Sequence, residues 1–161
     1  MIAEAHILAT PPQHTPASSL LSEAEFATVL DGYRDLMDVG PATEPRLRGA
    51  LEHVLANPGS LVRAQLAYRI LRTHALDEER ALAVAVAIEY FHTASLVFDD
   101  MPAMDNALER RGSPCAHMKY GEATATLAGL ALINRGYALL WQVIGTLPEP
   151  ARLEASRLVT T

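Results

Sequence analysis

The sequence predicts an all-α fold. Two long apolar windows, "ALAVAVAIEYFHTASLVF" and "ATATLAGLALINRGYALLWQVIG", put apolar residues on nearly every face of a helix, as central helices with neighbours all round require. Capping residues, prolines and glycines divide the remainder at helical lengths, and alternating strand patterns are missing. Ser22 with Glu25 forms a capping-box signature for a first helix that reaches about Val39, where Gly40 and Pro41 stop it. Thr43 can cap a second helix, with Pro45 in its first turn and Asn57-Pro58-Gly59 as its end. A third helix is expected over about 60–74, and Asp77 caps a long fourth one that carries the first apolar window. After a loop with Gly112 and Pro114, a fifth helix is expected over about 120–145, and a short one after Pro150.

At 161 residues, half of them hydrophobic, the chain can build one globular core. Its net charge of -6 argues against a general nucleic-acid binder, which needs a basic surface to answer phosphates, so any phosphate site must be local. Cys115 is the sole cysteine, which excludes an internal disulfide framework and a multi-cysteine zinc site and points to a reducing compartment, the cytoplasm. Residues 1–21 lack a basic n-region followed by a long apolar core, and read as a flexible tail rather than a secretory signal. Glu89 and His92 interrupt the first apolar window, and Asn134 and Arg135 the second. Both therefore read as buried bundle helices, with no membrane span.

The fourth helix runs into "SLVFDDMPAMDNALERRG", residues 95–112. On a regular helix Asp99 and Asp105, six positions apart, would point about 120° away from each other at about 100° per residue. Pro102 removes a backbone donor and clashes with the preceding turn, so the helix is expected to kink or loosen there and let the carboxylates converge. Closely set carboxylates favour proton uptake unless a cation lies between them, and an all-oxygen donor set suits Mg²⁺ bridging to substrate phosphates. Arg110 and Arg111 add the forked donors that phosphate oxygens prefer. A lone DD or RR pair is ordinarily a solvated or internally paired helix end. Carboxylates, a hard metal and arginines in one short stretch point instead to a diphosphate.

The stretch resembles the first aspartate-rich motif of the trans-isoprenyl diphosphate synthases, the polyprenyl synthetase family: D-D-x-x-x-x-D followed by R-R-G in many bacterial geranylgeranyl and farnesyl diphosphate synthases. Asp99, Asp100, Asp105, Arg110, Arg111 and Gly112 match in order and spacing. The flanks "EYFHTASLVFDD" and "GSPCAHMKYGEATATLAG" are similar to the family's segments around the motif, so the resemblance spans about residues 44–137. It implies the all-α isoprenoid synthase bundle, of which residues 22–161 would be the N-terminal part. It also implies Mg²⁺ on Asp99 and Asp105 gripping an allylic diphosphate, with Asp100 in support and Arg110 facing the same group. Arg111, Arg63 and His92 would hold isopentenyl diphosphate. The chemistry implied is departure of diphosphate to leave an allylic cation in a dry apolar cavity, where the alkene attacks it. Ala94 and Ser95, five and four positions before the motif, would form the floor that limits product length. Neither is bulky, and the "MPAM" spacing resembles synthases of geranylgeranyl diphosphate.

The chain departs from the family pattern at three places. In "PGSLVRA", Gly59 and Arg63 are kept, but Ser60 stands where the family's lysine belongs and Ala64 where its proline does. Leu130 replaces an aspartate found in many members. No second aspartate-rich motif follows: the carboxylates after Asp105 are Glu109, Glu122, Glu149 and Glu154, and the chain stops within "EASRLVTT", which reads as helix. Two classes of function follow. One is a prenyltransferase whose C-terminal half lies elsewhere, through truncation or on a second chain, acting as a homodimer or with that chain; the 161 residues alone would then be inactive. The other is a non-catalytic regulatory or scaffolding subunit. The retained carboxylate cluster, costly without a cation, favours the first. A terpene cyclase of similar fold would have no use for Arg63, His92 and Arg111 as a second diphosphate site.

Overall fold

The computed structural model describes residues 20–160. The expected tail over 1–21 lies outside them apart from Leu20 and Leu21, and Leu21 is buried in the core. Seven helices follow one another among the described residues: α1 (Glu23–Asp35), α2 (Pro45–Leu55), α3 (Val62–Thr73), α4 (Glu78–Asp99), α5 (Ala116–Tyr120), α6 (Glu122–Gly145) and α7 (Glu149–Thr160). One short hairpin, β1 (Glu109–Arg110) with β2 (Ser113–Pro114), interrupts the series after α4.

Local chemistry explains most boundaries. Ser22 and Glu25 close both halves of a capping box on α1, and the Asp77 carboxylate accepts from the Arg80 amide at the start of α4. Three expectations are corrected. Helix α1 ends at Asp35 rather than Val39, because Asp38 turns to a φ of 52° and the Arg135 guanidinium takes the Leu36 carbonyl. Helix α2 is capped by Glu44, whose carboxylate accepts from Leu47 N at 2.8 Å, and not by Thr43. The helix expected over about 120–145 is α6, which starts at Glu122 after Gly121 with φ 83°, and a separate short helix, α5, precedes it in the expected loop.

Helices α4 and α6 make the most extensive packing in the fold. Among the described residues they are the two helices long and apolar enough to cross a membrane, and they meet where Gly136 approaches Phe91 and Ala87 and where Gly129 approaches Phe98. Ala85, Ala87 and Ala94 on α4 and Ala125 and Ala128 on α6 are fully enclosed. Gly129 lets the Phe98 ring in so closely that a Cβ there would stand 2.6 Å from the Phe98 Cζ. Gly129→Ala is therefore expected to cost about 1–3 kcal/mol through overpacking, measured as a lower denaturant midpoint with an unchanged m-value. Also on α4, Tyr90 donates to the Tyr33 carbonyl at 2.8 Å and its ring lies 5.5 Å from that of Tyr33, which locks α1 onto α4. This rigid centre fixes where the C-terminus of α4 emerges.

Candidate active site

Helix α4 stops at Asp99 instead of kinking through Pro102. The Phe98 carbonyl that Pro102 cannot bond is taken by the Met101 amide at 3.0 Å, and the chain then turns back. At the end of that turn the Asp105 amide donates to the Asp99 carbonyl at 2.9 Å, and Asn106 takes a left-handed φ of 49°. The two aspartates that a straight helix would separate are thus tied at their backbones. Asp99 is half-buried and Asp105 exposed. Among the described residues no cluster of three or more His, Cys, Asp or Glu side chains forms a closed cage for a metal. Two hard oxygen donors beside an open face suit Mg²⁺, which retains waters and completes its shell with substrate phosphates rather than protein ligands.

Asp100 points the other way. It is 5% exposed, and its carboxylate accepts from Arg110 Nε at 2.9 and 3.0 Å and from Nη2 at 2.7 Å. The resulting forked pair pins the hairpin to the end of α4 and holds the Arg110 guanidinium protonated. Arg110 Nη1 is the nitrogen left to reach a phosphate. Cys115 lies beside the pair; burial, then Asp100, pushes its thiol up to about 11, so it stays protonated and unreactive.

The hairpin turn is made by Arg111 and Gly112, whose φ values of 54° and 76° are the consecutive positive pair that a two-residue hairpin of type I′ needs. That conformation throws the Arg111 side chain across to the α2–α3 turn, where Nη1 donates to the Asn57 carbonyl at 2.8 Å and the guanidinium lies on Gly59. Gly59 has φ +69°, and a Cβ there would overlap the guanidinium. Gly59→Ala is accordingly expected to cost about 1–2 kcal/mol in backbone strain and to displace Arg111, read as a lower denaturant midpoint with an unchanged m-value.

Arg63 sits exposed in the first turn of α3, and His92 is half-buried on α4. Burial first, then the positive charge of Arg63, with smaller contributions from Arg111 and Arg110, holds the His92 imidazole below its ordinary value; Glu89 opposes them. The positive charges of Arg63, Arg111 and Arg110 thus all reach His92, and Arg110 in turn feels the charges of Asp100 and Asp99. A cavity of about 60 Å³ opens among Thr93, Asp100, Arg110, Arg111, His53 and Asn57. Ala94 and Ser95 part company: Ala94 is enclosed by the core, and Ser95 is exposed with its hydroxyl on the His92 carbonyl at 2.8 Å.

The Polyprenyl synthetase family model matches residues 44–161. The chain belongs to the polyprenyl synthetase family. A chloroplastic geranylgeranyl pyrophosphate synthase of Arabidopsis thaliana is 39% identical over 114 residues, which are 70% of this chain and 32% of that protein. A farnesyl diphosphate synthase of Geobacillus stearothermophilus is 38% identical over 72% of this chain and 38% of its own length. Among solved structures, an isoprenoid synthase family member from Thermotoga neapolitana superposes with a TM-score of 0.71 at 32% identity, covering 85% of this chain and 53% of that one. A geranyltranstransferase from Thermotoga maritima gives 0.68 at 33%, covering 74% and 44%. The chain thus spans about a third of the length of these curated relatives. In this polyprenyl synthetase chain, sequence reasoning missed two contacts: the Asn57 carbonyl accepts from Arg111, and the buried Glu89 carboxylate accepts from the Ala64 amide at 2.9 Å. Asn57 acts through its carbonyl, which no residue type reveals, whereas a glutamate inside an apolar helix was a visible signal.

Proposed function

We propose that the chain supplies one wall of a short-chain prenyltransferase that condenses isopentenyl diphosphate with an allylic diphosphate, giving geranylgeranyl diphosphate. The observation that carries this reading is the backbone-tied Asp99–Asp105 turn followed directly by a hairpin whose Arg110 is held by Asp100 and whose Arg111 is held by the Asn57 carbonyl. Asp99 and Asp105 would hold Mg²⁺, which when bound neutralises diphosphate charge and stabilises it as a leaving group. Arg110, steadied by Asp100, adds a donor to the same allylic diphosphate through its remaining nitrogen. Arg63, Arg111 and His92 orient the second diphosphate, whose negative charge offsets the crowding of two arginines on the imidazole. As the allylic carbon–oxygen bond breaks, its electron pair leaves with diphosphate. The alkene of isopentenyl diphosphate then forms the new carbon–carbon bond, and a proton leaves the adduct.

Several features support the rest of the reading. Leu127, Leu130, Tyr137 and Trp141 expose one row of α6 at 43–54%, an apolar strip that favours a covering wall, from a second copy or from further helices of the bundle. The isolated 161 residues should accordingly turn over little. A reducing, cytoplasmic location suits the single Cys115. Ser60 in place of a phosphate-binding lysine is the feature that favours a non-catalytic subunit instead.

Product length tests the open floor. Ser95 is the one of the two floor positions with an open face, since Ala94 is already enclosed. Ser95→Tyr in the full-length protein is expected to shorten the product toward the farnesyl chain with the rate largely kept, as seen by chromatography of the dephosphorylated products. The reading as a whole is tested by supplying labelled isopentenyl diphosphate and an allylic partner with Mg²⁺ to the full-length protein. Label must appear in a longer prenyl chain; binding of both substrates without condensation would favour the subunit reading.

A further inference from the structure

Helix α3 begins without a cap of its own. Its N-cap residue Leu61 sits in the left-handed region at φ 50°, buried and apolar, and offers no side-chain acceptor to the first-turn amides. The acceptor comes from the middle of α4 instead: Glu89, 3% exposed, takes the Ala64 amide on Oε2 at 2.9 Å. Ala64 immediately follows Arg63, and Glu89 lies three positions before His92 on α4, within electrostatic reach of it. A buried carboxylate is costly unless it is bonded, and the bond that Glu89 makes is to the first turn of α3. Its placement is explained by what it holds: the turn that presents Arg63, and with it the spacing of Arg63 from His92.

We propose that Glu89 is a positioning residue for the diphosphate subsite of Arg63 and His92, fixing the first turn of α3 from inside the core. The inference rests on the reading of that subsite under Proposed function. Alanine at 89 leaves the Ala64 amide unbonded and frees the turn, whereas glutamine keeps a carbonyl acceptor of the same reach.

The test compares Glu89→Ala, Glu89→Gln and Arg63→Ala in the full-length protein. Glu89→Ala is expected to raise KM for isopentenyl diphosphate about 10-fold while KM for the allylic substrate and kcat stay within about 2-fold. Glu89→Gln is expected to restore KM to within about 3-fold of the parent. Hydrogen exchange should quicken over residues 62–65 in the alanine variant and not in the glutamine one. If Glu89→Ala does not fold, Glu89→Asp, one methylene short of the Ala64 amide, replaces it with the same expectations. A raised KM in Arg63→Ala with none in Glu89→Ala overturns the positioning role and leaves the function standing. An equal loss in every kinetic constant, tracking a lower Tm and not rescued by glutamine, also overturns it, because Glu89 is then merely structural. If Arg63→Ala leaves KM unchanged, the subsite reading itself fails, and unchanged exchange over 62–65 in Glu89→Ala would sink the positioning claim independently.

Discussion

Replacing Asp99 or Asp105 by alanine in the full-length protein is expected to lower kcat by about 10²–10³-fold, the scale of losing one preorganised group that stabilises transition-state charge. The fold should survive either change. Asp105 is exposed and Asp99 half-buried at a helix end, and what binds the turn together is the bond from the Asp105 amide to the Asp99 carbonyl, which alanine keeps. Loss of a carboxylate also removes repulsion between neighbours, so stability should hold or rise slightly. Steady-state rates with circular-dichroism melts check both halves: near-parental kcat in either variant would remove the carboxylates from the chemistry, and a collapsed melt would make their role structural.

Arg110→Ala is expected to be the most destabilising of the site substitutions, by about 3 kcal/mol, because it leaves the buried Asp100 carboxylate without its partner. Asp100→Ala should cost less. The Arg110 side chain is 36% exposed against 7% for Asp100, so an abandoned guanidinium reaches water and an abandoned carboxylate does not. Denaturant unfolding of the two variants measures the asymmetry. Equal losses, or the reverse order, would mean that the pair is not what pins the hairpin to α4.

The parts of this molecule that were legible in the sequence are those in which cause and effect lie within one turn of chain. The Ser22–Glu25 capping box and the Asp77 cap are local, and both formed as read. The all-α class followed from two apolar windows whose small residues meet in the core. The aspartates and arginines were visible as residue types at fixed spacing. Partners distant in the chain were not legible. Asp100 looked like one more carboxylate of the motif until Arg110, ten residues on, was seen to occupy it. The start of α3 is set by a glutamate 25 residues away, and the hairpin depends on Arg111 adopting a positive φ that its residue type does not favour. Ala94 and Ser95 were indistinguishable as small residues, because adjacent helix positions differ by about 100° in facing and only packing decides which is enclosed.

Calorimetric titration of the full-length protein with an unreactive allylic thiolodiphosphate, with Mg²⁺ and again with a chelator, bears most directly on the diphosphate site. Tight binding that requires Mg²⁺ and is lost in the Asp99→Ala/Asp105→Ala double variant is the predicted result. Equal affinity with and without Mg²⁺, or binding undiminished in the double variant, would contradict it.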